Sequence, residues 1–407
     1  MTPVGTLRLP PAVHFGYGTR AQLLHLLAIH GRRVLVVADP FLRGTPLFTE
    51  TRLAIESAGL ALEIYSDIRA ELPADSLDTA AESVRAFSPE VILAIGGGSA
   101  LDAAKLIALL LTHGGPLSRY YGENAVPAPT LPVVAVPTTA GTGSEVTPVA
   151  VVSDPERELK VGISSPHLIP VAAVVDPDFT FGAPASVTAF SGIDALVHAA
   201  ESYTARTLAL AWNGVLPVFT GSNAFSDVLA LRAAEKLGAW LTVAVAEPEN
   251  REARQEVALG SLLAGMSFSA TGTHLSHALQ YPIGASTHTA HGLGTGLMLP
   301  YVLDACLDDT AAQQRIADIG AALGSSVDDP GQRANDAISA LLRINRSIGV
   351  PASLAEIGVS RDQLPRFAEL AIGAARLVGI APIPATKELL LEILEHAHAG
   401  SLAERLH

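Results

Sequence analysis

Residues 91–105 read VILAIGGGSALDAAK. The apolar run 91–95 is long enough for one strand. Gly96, Gly97 and Gly98 end it, and residues 101–113 then carry apolar side chains at helical spacing. A strand that runs through glycines into a helix is the repeating unit of parallel α/β sheets. Glycine lets backbone approach a ligand closely. The first turn of the next helix offers unpaired N–H groups and a positive dipole end to an anion. Gly97, Gly98 and Ser99 are therefore candidates for a phosphate-binding turn. A tight strand-to-helix turn with no ligand explains the same four letters, so GGGS alone decides little.

Working outward, the alternation continues. Helical spacing is expected over 18–30, 47–58 and 75–87, and strands over 34–38, 60–65 and 133–136. That pace implies a parallel sheet covered by helices. The strand 133–136 is followed by Thr138-Thr139-Ala140-Gly141-Thr142-Gly143-Ser144, a second loop of hydroxyls and small residues. Ligands of open parallel sheets bind at the carboxyl ends of the strands, so both loops are expected to face one crevice. Asp39 closes the strand 34–38. A carboxylate there accepts a ribose 2′-hydroxyl and repels a 2′-phosphate. An ordinary turn residue before Pro40 is the alternative. Because the acid precedes the glycines, this is not the usual GxGxxG dinucleotide unit.

The pattern changes at about residue 184. Ala- and Leu-rich helical stretches follow at 193–205, 225–244, 251–279, 291–307, 310–323, 331–348, 364–374 and 386–398. The expectation is an α/β nucleotide-binding domain over 1–183 and an all-helical domain over 184–407. The stretch 208–223, with Trp212, Pro217 and Phe219, reads as a surface loop or a pocket flap.

Asp194 and His198 are four apart and share a helix face. Between His277 and His291, Pro282 and Gly284 are expected to break the chain, placing one histidine at a helix end and the other at the start of the next helix. One carboxylate and three neutral imidazoles can hold a divalent cation and leave a position for a substrate oxygen. Alternatives stand beside this. Asp194 lies three residues after Ser191 and could belong to a helix cap. Any one histidine can be a satisfied core residue, and His274 and His288 compete for the role.

Composition narrows the classes. The 407 residues carry a formal charge of −14, which repels nucleic acid. Cys306 is the one cysteine, so disulfides within the chain and cysteine-rich zinc sites are excluded. The first 18 residues show no basic and then apolar leader, and the run 106–111 is far short of the ~20 residues of a membrane span. A cytoplasmic, membrane-free protein is expected.

Five stretches, GGGSALDAAK (96–105), PTTAGTGSEVT (137–147), DPDFT (176–180), GIDALVHAAESY (192–203) and SHALQYPIGASTHTAHG (276–292), together resemble the iron-containing (group III) alcohol dehydrogenase family. Locally, THLSHALQYPI (273–283) is similar to the hydroxyacid–oxoacid transhydrogenase branch. The resemblance implies a dehydroquinate-synthase-like nucleotide domain followed by a helical metal domain. It implies NAD and a divalent metal, Fe2+ or else Zn2+, interconverting a small alcohol and its carbonyl by hydride transfer.

It puts the metal on Asp194, His198, His277 and His291, the pyrophosphate on Gly97, Gly98 and Ser99, and a second nucleotide loop on Thr138, Thr139 and Thr142. Lys160 falls on a basic residue lining the cofactor cleft, and Asp39 on the acid that favours NAD over NADP. Ala100 replaces a usual proline. Tyr281 replaces a histidine that many members use as a proposed proton relay; Tyr281 and His277 are the candidate catalytic residues here. Phe268 and Tyr203 are candidates for the apolar substrate wall, and a homo-oligomer, a dimer or larger, is expected. The rivals are a transhydrogenase with bound NAD(H), a dehydroquinate-synthase lyase, which needs a Lys/Arg cluster missing around these ligands, a maleylacetate reductase, which lacks the ligand set, and a non-catalytic NAD-binding protein.

Overall fold

Among the described residues, nine strands form in the first half: β1 (Ala12–Phe15), β2 (Arg33–Ala38), β3 (Ala61–Tyr65), β4 (Val91–Gly96), β5 (Gly122–Glu123), β6 (Val133–Pro137), β7 (Val149–Val152), β8 (Val161–Ser164) and β9 (Ala172–Val175). This is a computed structural model, and it describes residues 5–69, 71–154, 156–157 and 160–403. Six strands make one parallel sheet in the order β1-β9-β6-β4-β2-β3. The short β5, β8 and β7 form a separate sheet. The helices here are α1 (Leu23–Ala28), α2 (Pro46–Ser57), α3 (Ala74–Val84) and α4 (Gly98–His113).

The central strands are apolar on both faces because both faces are covered. Leu35, Val37, Ile92 and Ala94 pack into one core with α3 and α4, while Val34, Val36, Leu93 and Ile95 pack into another with α1 and α2. The period-2 alternation therefore separates two cores instead of core from solvent. Register then aligns the strand ends. Ala38 pairs with Ile95, and Gly96 with Pro137. Asp39, Gly97 and Thr138 consequently leave three neighbouring strands at the same edge.

No strand follows β9 among the described residues. The remaining helices are α5 (Ala185–Thr204), α6 (Ala224–Ala246), α7 (Arg251–Thr271), α8 (Leu275–Thr287), α9 (His291–Ala305), α10 (Thr310–Ala322), α11 (Pro330–Ser347), α12 (Leu364–Ile372), α13 (Ala375–Val378) and α14 (Lys387–Ala399). The chain divides into two units, 8–182 and 183–403 joined by residues 5–7. The first described residues thus group with the helices, whereas the sequence reading put them in the α/β domain. Residues 1–4 and 404–407 of the two expected domains lie outside the described residues. Among the described residues, no helix is long and apolar enough to cross a membrane.

Two helix boundaries differ from expectation. The single helix expected over 251–279 is two, because Gly272 takes φ +84 and caps α7. The break expected at Pro282 and Gly284 does not occur there. Both residues lie inside α8, and the chain turns at His288, whose φ of 56 is left-handed. His277 therefore sits in the first turn of α8, and His291 opens α9.

Candidate metal centre and nucleotide loops

In the helical unit, three helices deliver one cluster. Asp194 and His198 lie on α5, with His198 Nε2 3.7 Å from Asp194 Oδ2. Asp194 is well inside α5, which starts at Ala185, so it is not part of a helix cap. His277 Nε2 from α8 and His291 Nε2 from α9 are each 3.8 Å from Asp194 Oδ1. Ligand atoms of Asp194, His277 and His291 all lie within 4.8 Å of one another. The His198 ring stacks on that of His277 at 4.9 Å between centroids, and on that of Phe268 at 4.3 Å.

Separations of 3.7–3.8 Å are too long for hydrogen bonds. Two ligands on one ion with bonds of about 2.1 Å stand roughly 3.4 Å apart in tetrahedral geometry, so the spacing fits donors that share a cation. The tautomers support this. His277 Nδ1 lies 2.7 Å from Glu201 Oε2, and the same carboxylate accepts the backbone N–H groups of His274 at 2.7 Å and Ser276 at 2.5 Å. An acceptor with that set of donors is ionised, so Nδ1 carries a His277 proton and Nε2 is the nitrogen left to face Asp194. His277 Nε2 is buried and makes no hydrogen bond. It faces Asp194 Oδ1 at 3.8 Å. Leaving a buried polar atom unpaired costs about 1–3 kcal/mol, and a shared cation removes that cost.

His291 repeats the arrangement with a neutral partner, its Nδ1 standing 2.7 Å from Gln280 Oε1. Thr295 Oγ1 donates to Asp194 Oδ1 at 2.7 Å, which aims the carboxylate. Burial pushes the Asp194 carboxyl up, but His198, His291, His277 and the Thr295 hydroxyl outweigh it and hold it below the usual range. Glu201, also opposed by burial, is held below its usual range by His274 and His277 and by its hydrogen bonds.

Close helix approach makes the cluster. A Cβ on Gly292 would meet the Phe190 carbonyl oxygen at 1.9 Å, and one on Gly296 would meet Ile193 Cγ1 at 2.6 Å. These two glycines let α9 lie against α5 and bring His291 to Asp194. The side chain of His291 is 32% exposed against 4% for Asp194, so the cluster opens beside His291. Tyr281, its ring 6.3 Å from that of His291, stands at this opening.

One expected wall residue is elsewhere. The Tyr203 hydroxyl donates to Asp318 Oδ2 at 2.7 Å, and Arg315 lies 4.0 Å over its ring. Tyr203 is five residues past His198, so its side chain leaves α5 on the α10 side, away from the ligands. The sequence reading missed Glu201, Gln280 and Thr295. Helical spacing could have found them: Glu201 is three after His198, Gln280 three after His277, and Thr295 four after His291.

In the α/β unit the two loops touch. Thr138 N donates to Gly96 O at 3.0 Å. A Cβ on Gly98 would meet Thr142 Cγ2 at 2.6 Å, while one on Gly97 would lie 3.4 Å from Thr139 Cγ2. The absent side chain at Gly98 thus serves loop packing before any ligand. Gly97 caps α4, and Ser99 is exposed in its first turn. Asp39 Oδ2 accepts the Gly97 N–H at 2.8 Å, and burial pushes the Asp39 carboxyl up. The Thr138 hydroxyl is buried without a hydrogen-bond partner, as a group awaiting a ligand would be.

Beneath the loops, Asp102 accepts from Ser144 Oγ at 2.5 Å and from Val151 N at 3.0 Å. Lys105 donates to the carbonyls of Thr147 and Val149 at 2.9 and 3.0 Å. Helix α4 is thereby fastened to the second loop. Burial pushes Lys105 down to about 8 and Glu145 up to about 7. Lys160 pairs with Glu71 at 2.5 Å.

Residues 10–177 match the family model "iron-containing alcohol dehydrogenase", and residues 188–398 match that of the family's C-terminal domain. The chain is 32% identical to long-chain-alcohol dehydrogenase 1 of Geobacillus thermodenitrificans over 98% of each chain. It is 34% identical to the NAD-dependent methanol dehydrogenase of Bacillus methanolicus, covering 89% of this chain and 91% of that one. The crystal structure of a 1,3-propanediol oxidoreductase superposes with a TM-score of 0.90 at 28% identity, covering 97% of this chain and 100% of that one. The chain belongs to the iron-containing alcohol dehydrogenase family.

Proposed function

We propose that the chain is a metal-dependent, NAD-linked alcohol dehydrogenase in which Asp194, His198, His277 and His291 hold one divalent ion, Fe2+ or else Zn2+. The observation that carries this is the buried His277 Nε2 facing Asp194 Oδ1 with no hydrogen bond of its own. A divalent ion held there supplies Lewis acidity toward the oxygen of an alcohol or carbonyl, and NAD supplies the hydride chemistry.

The chain's own groups do the rest. Phe268 shields the His198 ring and gives the substrate an apolar wall. Tyr281, at the open side beside His291, packs on the substrate and hydrogen-bonds it or a water. In the α/β unit, the N–H groups of Gly98 and Ser99 at the start of α4, with Gly97, receive the pyrophosphate. Thr138, Thr139 and Thr142 add hydroxyls from the second loop. Asp39 has one oxygen committed to Gly97, which orients the other toward a ribose hydroxyl. Lys160, already paired with Glu71, contributes positive charge near Asp102. The reading includes a cytoplasmic homo-oligomer, a dimer or larger, which size-exclusion chromatography and cell fractionation check.

The test combines metal analysis of the purified protein with an alcohol panel assayed with NAD after reconstitution with Fe2+ or Zn2+. About one ion per chain and release of free NADH are expected. Full activity in metal-free protein would refute the reading. Hydride exchange between a hydroxyacid and an oxoacid with no free NADH would replace it with a transhydrogenase.

A further inference from the structure

We propose that Glu201 is a positioning residue for the metal centre: it fixes His277 in the Nδ1–H tautomer and strengthens Nε2 as a donor. The inference rests on the metal reading above and goes beyond it, since Glu201 is not one of the four proposed ligands. Glu201 is 0% exposed, as is His274 beside it, in a helix whose other buried residues are mostly apolar. A carboxylate with no solvent contact is costly unless its lone pairs are filled.

Three donors fill them. Oε1 takes Ser276 N, while Oε2 takes His274 N and His277 Nδ1. The two backbone donors come from the start of α8, where helical N–H groups are unpaired, so Glu201 anchors the turn that carries His277. The third donor is the ring itself. An anionic acceptor behind an imidazole raises the basicity of the opposite nitrogen and holds the ring's rotation. The His274 ring also comes close, its Nδ1 3.3 Å from Glu201 Oε1, but it is engaged elsewhere. Its Nδ1 accepts from Leu275 N at 2.8 Å, and its Nε2 contacts Thr204 Oγ1 at 2.8 Å.

His291 supplies an internal contrast. Its partner is the uncharged Gln280 amide, seated where Gly284 and Gly294 leave room: a Cβ on either would meet Gln280 at 2.4 or 2.8 Å. The two imidazoles are therefore unequal donors, His277 the stronger.

A Glu201→Gln amide keeps the size, loses the charge, and must turn an NH2 toward one of the three donors. The expected result is a Co2+ dissociation constant raised about 10- to 100-fold, with a changed Co2+ d–d absorption spectrum. Gln280→Leu, which removes a neutral acceptor, should raise it less. Wild-type affinity and spectrum in folded Glu201→Gln protein would overturn the proposal, as would a larger effect of Gln280→Leu. The tautomer is read on the wild type as well, which keeps the test sound if the variant does not fold. In 15N-histidine-labelled metal-free protein, the signal missing from His277→Ala should have the Nδ1–H pattern; the Nε2–H pattern would overturn the assignment. Wild-type protein that takes up no Co2+ would instead remove the metal reading, and this inference with it.

Discussion

The nucleotide loops and the metal cluster are built by opposite means. In the α/β unit, the contributing positions leave adjacent strands, and sheet register alone puts them side by side: Ala38 beside Ile95, Gly96 beside Pro137. Backbone N–H groups and missing side chains make up much of the site. In the helical unit, the proposed ligands are side chains from three helices, and nothing but helix packing puts Asp194, His277 and His291 within 4.8 Å of one another. The first kind of site leans on backbone groups and on glycines that leave room for the neighbouring loop. The second depends on ångström-level helix position and on the partners behind each ligand.

The sharpest test of that contrast is His277→Ala. Loss of one ligand from a four-donor shell should empty the centre, lowering both metal content and kcat/KM, the latter by about a thousandfold or more. The variant should still bind NAD, because the α/β unit is untouched. Loss of NAD binding, read by fluorescence titration, would show the two sites are not separable in this way.

Next is Gly292→Ala, which leaves every ligand in place. Its methyl would meet a backbone carbonyl at 1.9 Å, so α9 must shift and carry His291 away from Asp194. Displacement of about 1 Å costs on the order of a hundredfold in activity, and overpacking about 1–3 kcal/mol in stability. Metal content and thermal unfolding measure the two effects. Wild-type metal affinity in this variant would mean helix approach does not set the site.

Asp39→Asn probes the other unit, with an effect of about tenfold. The amide oxygen can still accept from Gly97 N–H, so the loop should persist while the charge that repels a 2′-phosphate is lost. The ratio of kcat/KM for NAD to that for NADP should fall. Wild-type discrimination should also vary with pH. Burial raises the Asp39 carboxyl, so as pH falls it protonates earlier than an ordinary aspartate and the preference for NAD fades from that point. In Asp39→Asn the ratio should be flat across the same range. A wild-type ratio that does not change with acid would place another group in charge of selection.

The smallest effect is expected from Tyr281→Phe. If the residue packs and hydrogen-bonds, kcat should stay within a few-fold and the pH profile should keep its shape, with any loss in KM. A fall of a hundredfold or more, with one ionisation gone, would make Tyr281 the proton carrier, since general bases contribute about 10²–10⁴-fold.

What the sequence determined by itself follows from local periodicity. The strand–glycine–helix unit at 91–105, the alternation around it, and the change to unbroken helical spacing after about 184 each depend on residues within one or two turns or strands. The Asp194/His198 pair was legible for the same reason, since 3.6 residues per turn puts i and i+4 on one face. Tertiary structure decided the rest. Pro282 and Gly284 look like breakers, yet they lie within α8 while the turn falls at His288. Tyr203 looked like a pocket residue, yet its hydroxyl donates to Asp318 on α10. Glu201 and Gln280 acquire meaning only because α8 brings His277 to one and α9 brings His291 to the other. The physical reason is range. Spacing reports which residues share a face of one element, but which element that face meets is set by close approaches, such as Gly292 against Phe190, between residues some hundred positions apart in the chain.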